Sequence, residues 1–181
     1  PKDMNTLVYF LAFVGGLDLA AEWAGFRTVG QCEWADYPRA VLEKHWPGLP
    51  RWRDIRTLTG DDFYAQTGLR TVTVLSGGFP CQPFSVSGKR RGFDDTRGTL
   101  FHEIVRVAEA RMPQYLLLEN VPGLLNHDGG KTFGTIIRTI HELGYSLEWC
   151  VLNSANFGVP HQRRRVYIVG YLDQRLSGKI F

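Results

Sequence analysis

TVTVLSGGFPCQPFSVSGKRRGFDDTRG, residues 71–98, is the stretch from which the fold is read. Its first six residues are β-rich, with Val72 and Val74 alternating as in a strand. Beyond it, residues 99–110 place Leu100, Ile104, Val107 and Ala108 on one face of a helix. A strand therefore passes through a long loop into a helix. Loops of this length inside a compact domain are usually functional or disordered. This one starts with Cys81, held between Pro80 and Pro83. It then turns Gly-, Ser- and basic-rich, a composition that suits a flap able to touch an anion.

Working outward, strand and helix patterns alternate along the chain. Residues 6–14, 26–32, 71–76, 115–118, 145–152 and 165–171 read as strands. Residues 17–24, 37–45, 60–67, 99–110 and 132–143 read as helices, the last with Phe133, Ile136, Ile137, Ile140 and Leu143 at helical spacing. This alternation predicts an α/β fold with a doubly wound, mostly parallel sheet. The last two strands are joined by a dozen residues without helical pattern, which favours an antiparallel pair.

At 181 residues, 44% of them apolar, the chain predicts one domain with a proper core. The net charge of +3 permits a nucleic-acid partner without requiring one. Three widely spaced cysteines and no Cys-x-x-Cys argue against a disulfide framework or zinc site. No metal is expected, since no His-Glu-x-x-His spacing occurs. The longest apolar run, 7–14, is too short to span a bilayer.

A cysteine just past a strand end stands where open α/β sheets place their sites. Its thiolate is the reactive form. The plainer reading, a small buried hydrophobe, is commoner for a lone cysteine. The Gly-Gly-x-Pro-Cys-x-Pro surroundings oppose it, because no core strand is written that way. Pro80-Cys81-Gln82 with its flanks resembles the catalytic motif of DNA cytosine-5 methyltransferases. Glu33-Trp34, Glu119-Asn120-Val121, Gln162-Arg163-Arg164-Arg165 and the loop text 85–100 match the same family in the right order. The resemblance covers nearly the whole chain. It implies a Rossmann-like S-adenosylmethionine-dependent methyltransferase fold, and methyl transfer to C5 of a flipped-out cytosine through a Cys81 covalent adduct.

By that resemblance Glu119 holds or protonates the ring nitrogen N3, Arg165 binds the cytosine oxygen, and Arg163 helps place the loop or a phosphate. Arg163 and Arg165, two apart at a strand start, face one side, and Arg164 faces away. Gln82, Ser85, Ser87, Lys89 and Arg97 become candidate DNA contacts. On charge alone the Arg triplet is a solvated strand end.

A glycine pair after strand one and an acid after strand two form the skeleton of a nucleotide-like pocket. Gly15, Gly16 and Glu33 fill those places, with Trp34 against an adenine face and Asp54 and Ile55 at its edge. Leu11, Gly78, Pro80 and Leu100 complete the candidate set for S-adenosylmethionine. The plainer reading of the glycines is packing. Strand one departs from the family pattern at Tyr9, Leu11 and Phe13, which stand where Asp, Phe and a first Gly belong. Leu11 removes an aromatic contact and Phe13 crowds the backbone approach.

The family's target-recognition region would follow Tyr171. The chain is accordingly expected to be one catalytic domain over 1–181: a fragment, a processed chain, or the larger half of a split enzyme needing a second chain. Expected partners are double-stranded DNA and such a chain, with no membrane, in the cytoplasm of a bacterial or phage system. Alone, it should bind DNA weakly and without sequence preference. Two other readings stay open: a catalytically silent DNA- or partner-binding module, supported by the altered strand one, and an RNA cytosine-5 methyltransferase.

Overall fold

The computed structural model describes residues 6–10, 15–80 and 100–181, with 7–10 as backbone. Strands β1 (Thr6–Phe10), β2 (Arg27–Cys32), β3 (Arg51–Trp52), β4 (Val74–Gly78), β5 (Tyr115–Asn120), β6 (Ser146–Asn153) and β7 (Arg164–Tyr171) form one sheet in the order β3-β2-β1-β4-β5-β7-β6. The pairs β2–β3, β1–β2, β1–β4 and β4–β5 are parallel. β7 runs antiparallel to both neighbours, β5 and β6. The last two strands thus pair as their short connection predicts.

Helices cover both faces, α1 (Gly16–Trp23) and α2 (Asp36–His45) on one, α3 (Gly60–Thr67), α4 (Leu100–Arg111) and α5 (Lys131–Glu142) on the other. Alternation along the strands explains the division. On β5, Leu116 and Leu118 join the core beneath α4 and α5, while Tyr115 and Leu117 pack with Leu17, Ala21 and Leu42 of α1 and α2. Phe101, Ile104, Val107 and Ala108 of α4 are buried against the first core, as are Ile136 and Ile140 of α5. Full burial of each such side chain stabilises by ~1.5–3 kcal/mol. The larger α3/α4/α5 core therefore dominates stability. α3 has the expected bounds because Thr59 caps it, accepting from Asp62 N at 3.1 Å, and Gly68 ends it at φ +71°.

β4 departs from expectation. It begins at Val74 and runs on through Gly77 and Gly78, which pair with Leu118 and Glu119 of β5. Glycine weakens a strand, but ladder bonds from both sides hold a central strand whatever its side chains. The strand consequently carries Phe79 and Pro80 to the carboxyl edge of the sheet. Residues 55–57 form a 3₁₀ turn after β3, and 122–130 form 3₁₀ turns in place of a plain loop.

One buried polar chain links β2, β3 and α1. Arg51 Nε and Nη2 donate to Gln31 Oε1 at 3.1 and 2.9 Å, and Gln31 Nε2 donates to Asp18 Oδ1 at 2.9 Å. Asp18 is fully buried, and among the described residues its Oδ2 has no hydrogen-bond partner. Burial pushes its carboxyl up to about 6, against the pull of the Gln31 amide.

Candidate active site

Three strand ends converge at the carboxyl edge of the sheet. β2 ends beside Glu33, β4 runs out through Phe79 and Pro80, and β5 ends at Glu119 and Asn120. The antiparallel β7 enters the same edge at its beginning, bringing Arg163 and Arg165. A parallel sheet alone would present only strand ends here. The reversed strand adds a strand start, and with it two guanidinium groups.

A cleft of about 430 Å³ runs from Glu33 past Gly78, Pro80 and Leu100 to Glu119, Arg163 and Arg165. Arg164 is exposed and does not line it, as strand alternation requires. Arg165 Nε pairs with Glu119 Oε1 at 2.7 Å, both side chains largely buried. Arg165 Nη1 also donates to the Arg164 carbonyl at 2.8 Å, which fixes the plane of the guanidinium. The pair orients the carboxylate and balances its charge in a partly dry place, where unpaired charge is costly. Tyr167 sits opposite Glu119 across the β5–β7 ladder. Burial, then the Glu119 charge, holds its phenol above the usual range.

At the other end of the cleft Glu33 is 6% exposed. Its Oε1 accepts from Ala35 N at 2.9 Å. A second cleft, about 330 Å³, holds Cys32, Trp34, Asp54 and Ile55 and shares Leu100 with the first. Trp34 is mostly exposed, while Ile55 is buried. Asp54 is engaged by Arg56, whose guanidinium and backbone N–H both bond its carboxylate and hold it below the usual carboxylate range. Cys32 is buried, and burial with the nearby Asp54 and Glu33 pushes its thiol up to about 12, so it is no nucleophile.

Gly15 adopts φ +82°, and a Cβ there would sit 2.5 Å from the Trp46 ring. The structure thus gives this glycine a packing reason. Gly16 opens α1, and none of the described residues lies within 4 Å of its Cβ direction. Leu11, Phe13, Cys81, Gln82, Ser85, Ser87, Lys89, Arg97 and the side chain of Tyr9 lie outside the described residues.

Several supporting residues were not legible as such in the sequence. Asn120 Nδ2 donates to the Phe79 carbonyl at 2.8 Å, tying the end of β5 to the backbone two residues before Cys81. Ser154 Oγ accepts from Arg163 N at 3.2 Å, and Asn153 Nδ2 donates to Gln162 Oε1 at 2.6 Å. Together they clamp the approach to β7. Arg39 Nη1 donates to the Glu33 and Trp52 carbonyls at 3.2 and 3.1 Å, fixing the ends of β2 and β3. Among the described residues no His, Cys, Asp or Glu cluster suits a metal ion, and no helix is long and apolar enough to cross a membrane.

Comparison with known proteins bears on this arrangement. A family model described as C-5 cytosine-specific DNA methylase matches residues 6–179. The type II methyltransferase M.NgoBI of Neisseria gonorrhoeae is 41% identical over 160 residues, 88% of this chain and 48% of its own length. M.HhaI of Haemophilus parahaemolyticus is 37% identical over 161 residues, 87% of this chain and 46% of its own. The chain spans about half the length of the curated relatives it matches. Among solved structures, S. pombe Dnmt2 methyltransferase aligns with TM-score 0.73 and 25% identity, over 93% of this chain and 51% of its own. Spodoptera frugiperda DNMT2 shares the fold, with TM-score 0.74 and 21% identity over 94% of this chain and 50% of its own.

Proposed function

The chain belongs to the C-5 cytosine-specific DNA methylase family, and we propose that it carries the cofactor and catalytic half of a DNA (cytosine-5-)-methyltransferase of the restriction-modification type. The observation that carries this is the Glu119–Arg165 pair at 2.7 Å, in one cleft with Glu33 and with the strand end that leads to Cys81.

The cofactor is S-adenosylmethionine. A nearly buried carboxylate on the cleft rim fits a ribose diol, and the adjoining cleft offers an aromatic face at Trp34 and an acid edge at Asp54. The volumes suit a ligand of that size. Glu33 would accept from the ribose hydroxyls, Trp34 and Ile55 would flank the adenine, and Gly78, Pro80 and Leu100 would line the passage to the reacting end. When bound, the cofactor supplies an electrophilic methyl group on a sulfonium.

The chain's own residues prepare the base. Carbon 5 of cytosine is a weak nucleophile. The Cys81 thiolate adds to carbon 6, forming an S–C bond and moving the ring's electrons toward carbon 5 and N3. Glu119 receives the exocyclic amine and stabilises N3, help of a kind typically worth ~10²–10⁴-fold. Arg165 binds the cytosine oxygen while orienting Glu119. Arg163, on the same side of the cleft, holds the flap or a phosphate. With carbon 5 methylated by the bound cofactor, which would leave as a neutral thioether, loss of the carbon-5 proton to solvent and rupture of the S–C bond would restore the aromatic ring and the Cys81 thiolate. The base is reached only when flipped from the duplex, at a cost of ~a few kcal/mol, and Gln82, Ser85, Ser87, Lys89 and Arg97 would hold the backbone around it. Target choice is assigned to sequence beyond these residues, in a longer chain or a second chain. The setting is cytoplasmic and DNA-associated.

The test is transfer of tritiated methyl groups from S-adenosylmethionine to duplex DNA. Label that depends on Cys81 and Glu119 is expected. Label that persists in Cys81→Ser, or that enters transfer RNA in preference to DNA, overturns the reading.

A further inference from the structure

Arg56 has no part in the reading above, yet it stands on the two residues assigned to adenine. Its Nε lies 3.0 Å from both Asp54 oxygens, its Nη2 lies 2.7 Å from Oδ2, and its backbone N donates to Oδ1 at 2.9 Å. Three N–H groups of this one residue thus occupy Asp54, with Nε–H shared between its two oxygens, against the about four lone-pair sites of a carboxylate. The same guanidinium lies 5.9 Å from the centroid of the Trp34 ring, within the ~6 Å of a cation–π contact. The other arginine lining this cleft, Arg53, pairs with Asp36 instead.

We propose that Arg56 is a built-in competitor of the adenine ring, holding Asp54 and the Trp34 face until a 6-aminopurine displaces it. The proposal rests on the cofactor reading. Displacement frees an Asp54 oxygen to accept an exocyclic amine and frees the Trp34 face to receive the ring.

Calorimetric titration with S-adenosylhomocysteine tests this on the chain as it stands. Arg56→Ala should bind about three- to tenfold more tightly than wild type, the range expected from losing an exposed ion pair and a cation–π contact. Wild-type affinity should rise between low and high salt, because salt screens the competing pair, and the variant should show no such rise. Arg56→Lys, which keeps the charge without the fork, should fall between them, and all three should melt alike. An Arg56→Ala affinity equal to or weaker than wild type overturns the competition and leaves the cofactor reading intact. Absence of binding by wild type and both variants overturns the cofactor reading and the competition with it.

Discussion

Asp18→Asn is expected to stabilise the protein at pH 8 and to do almost nothing near pH 4. Burial pushes the folded carboxyl up to about 6, against an ordinary 3.8. The folded state therefore holds this proton more tightly than the unfolded chain. Below pH 3.8 both states are protonated and no penalty exists. As pH rises toward 6 the unfolded chain ionises first and stability falls; above about 6 the loss is complete and flat. At roughly 1.4 kcal/mol per pH unit between those values, about 3 kcal/mol is withdrawn. Asparagine keeps the oxygen that Gln31 bonds and cannot ionise, so it should recover most of that. For a domain of this size this is ~6–12 °C in Tm. The assay is urea unfolding of both proteins at pH 4.5, 5.5, 7 and 8 at constant ionic strength. Subtracting one curve from the other cancels the shared titrating groups. A difference that does not grow with pH, or a variant less stable at pH 8, refutes the reasoning.

Gly15→Ala should cost about 2 kcal/mol or more in thermal unfolding, since φ is +82° and the new methyl meets Trp46. The Trp46 ring cannot easily yield, because its Nε1 donates to Glu22 at 2.6 Å. Tyr145→Phe leaves the Pro113 carbonyl without the hydroxyl that bonds it at 2.7 Å in the core, and urea midpoints should register ~1–2 kcal/mol. In methyl-transfer assays Glu119→Gln should slow the reaction by ~10²–10⁴-fold while S-adenosylhomocysteine titrations stay unchanged; a matching loss of affinity would instead place Glu119 in cofactor binding. Glu33→Gln should do the reverse, weakening that titration by roughly tenfold without altering the melting curve.

Much of the fold was legible because it rests on local periodicity. Ile136 and Ile140 placed α5 to within a residue at each end, and the short β6–β7 connection predicted their antiparallel pairing. β4 was misplaced because Gly77 and Gly78 look like a break, whereas a central strand is held by ladder bonds that need no side chain. Within the site, Glu119, Arg163 and Arg165 were legible through the family resemblance of their motifs, strand alternation adding only which arginines share a side, and all three line one cleft. The contacts that position them were not. Asn120 meets Phe79 across 41 residues, and Gln31 meets Asp18 from another element. No spacing rule within one segment announces a partner brought there by topology. Arg56 is the converse case, a residue only two positions from its partner whose meaning appears once Trp34 lies beside it.

The interior place of β7 has a consequence for synthesis. β5 leaves the ribosome before β6, yet its neighbour on one side is β7, which is made after both. At ~5–20 residues per second, the growing chain spends seconds with an open β5 edge, the kind of surface that templates misassembly. β6 emerges in that interval without its described ladder partner, β7. Closure of the sheet on this side is therefore delayed until β7 is made. Glu119 meets its guanidinium partner at that same moment, so the charged pair at the cleft can serve as a reporter that the nascent sheet has closed.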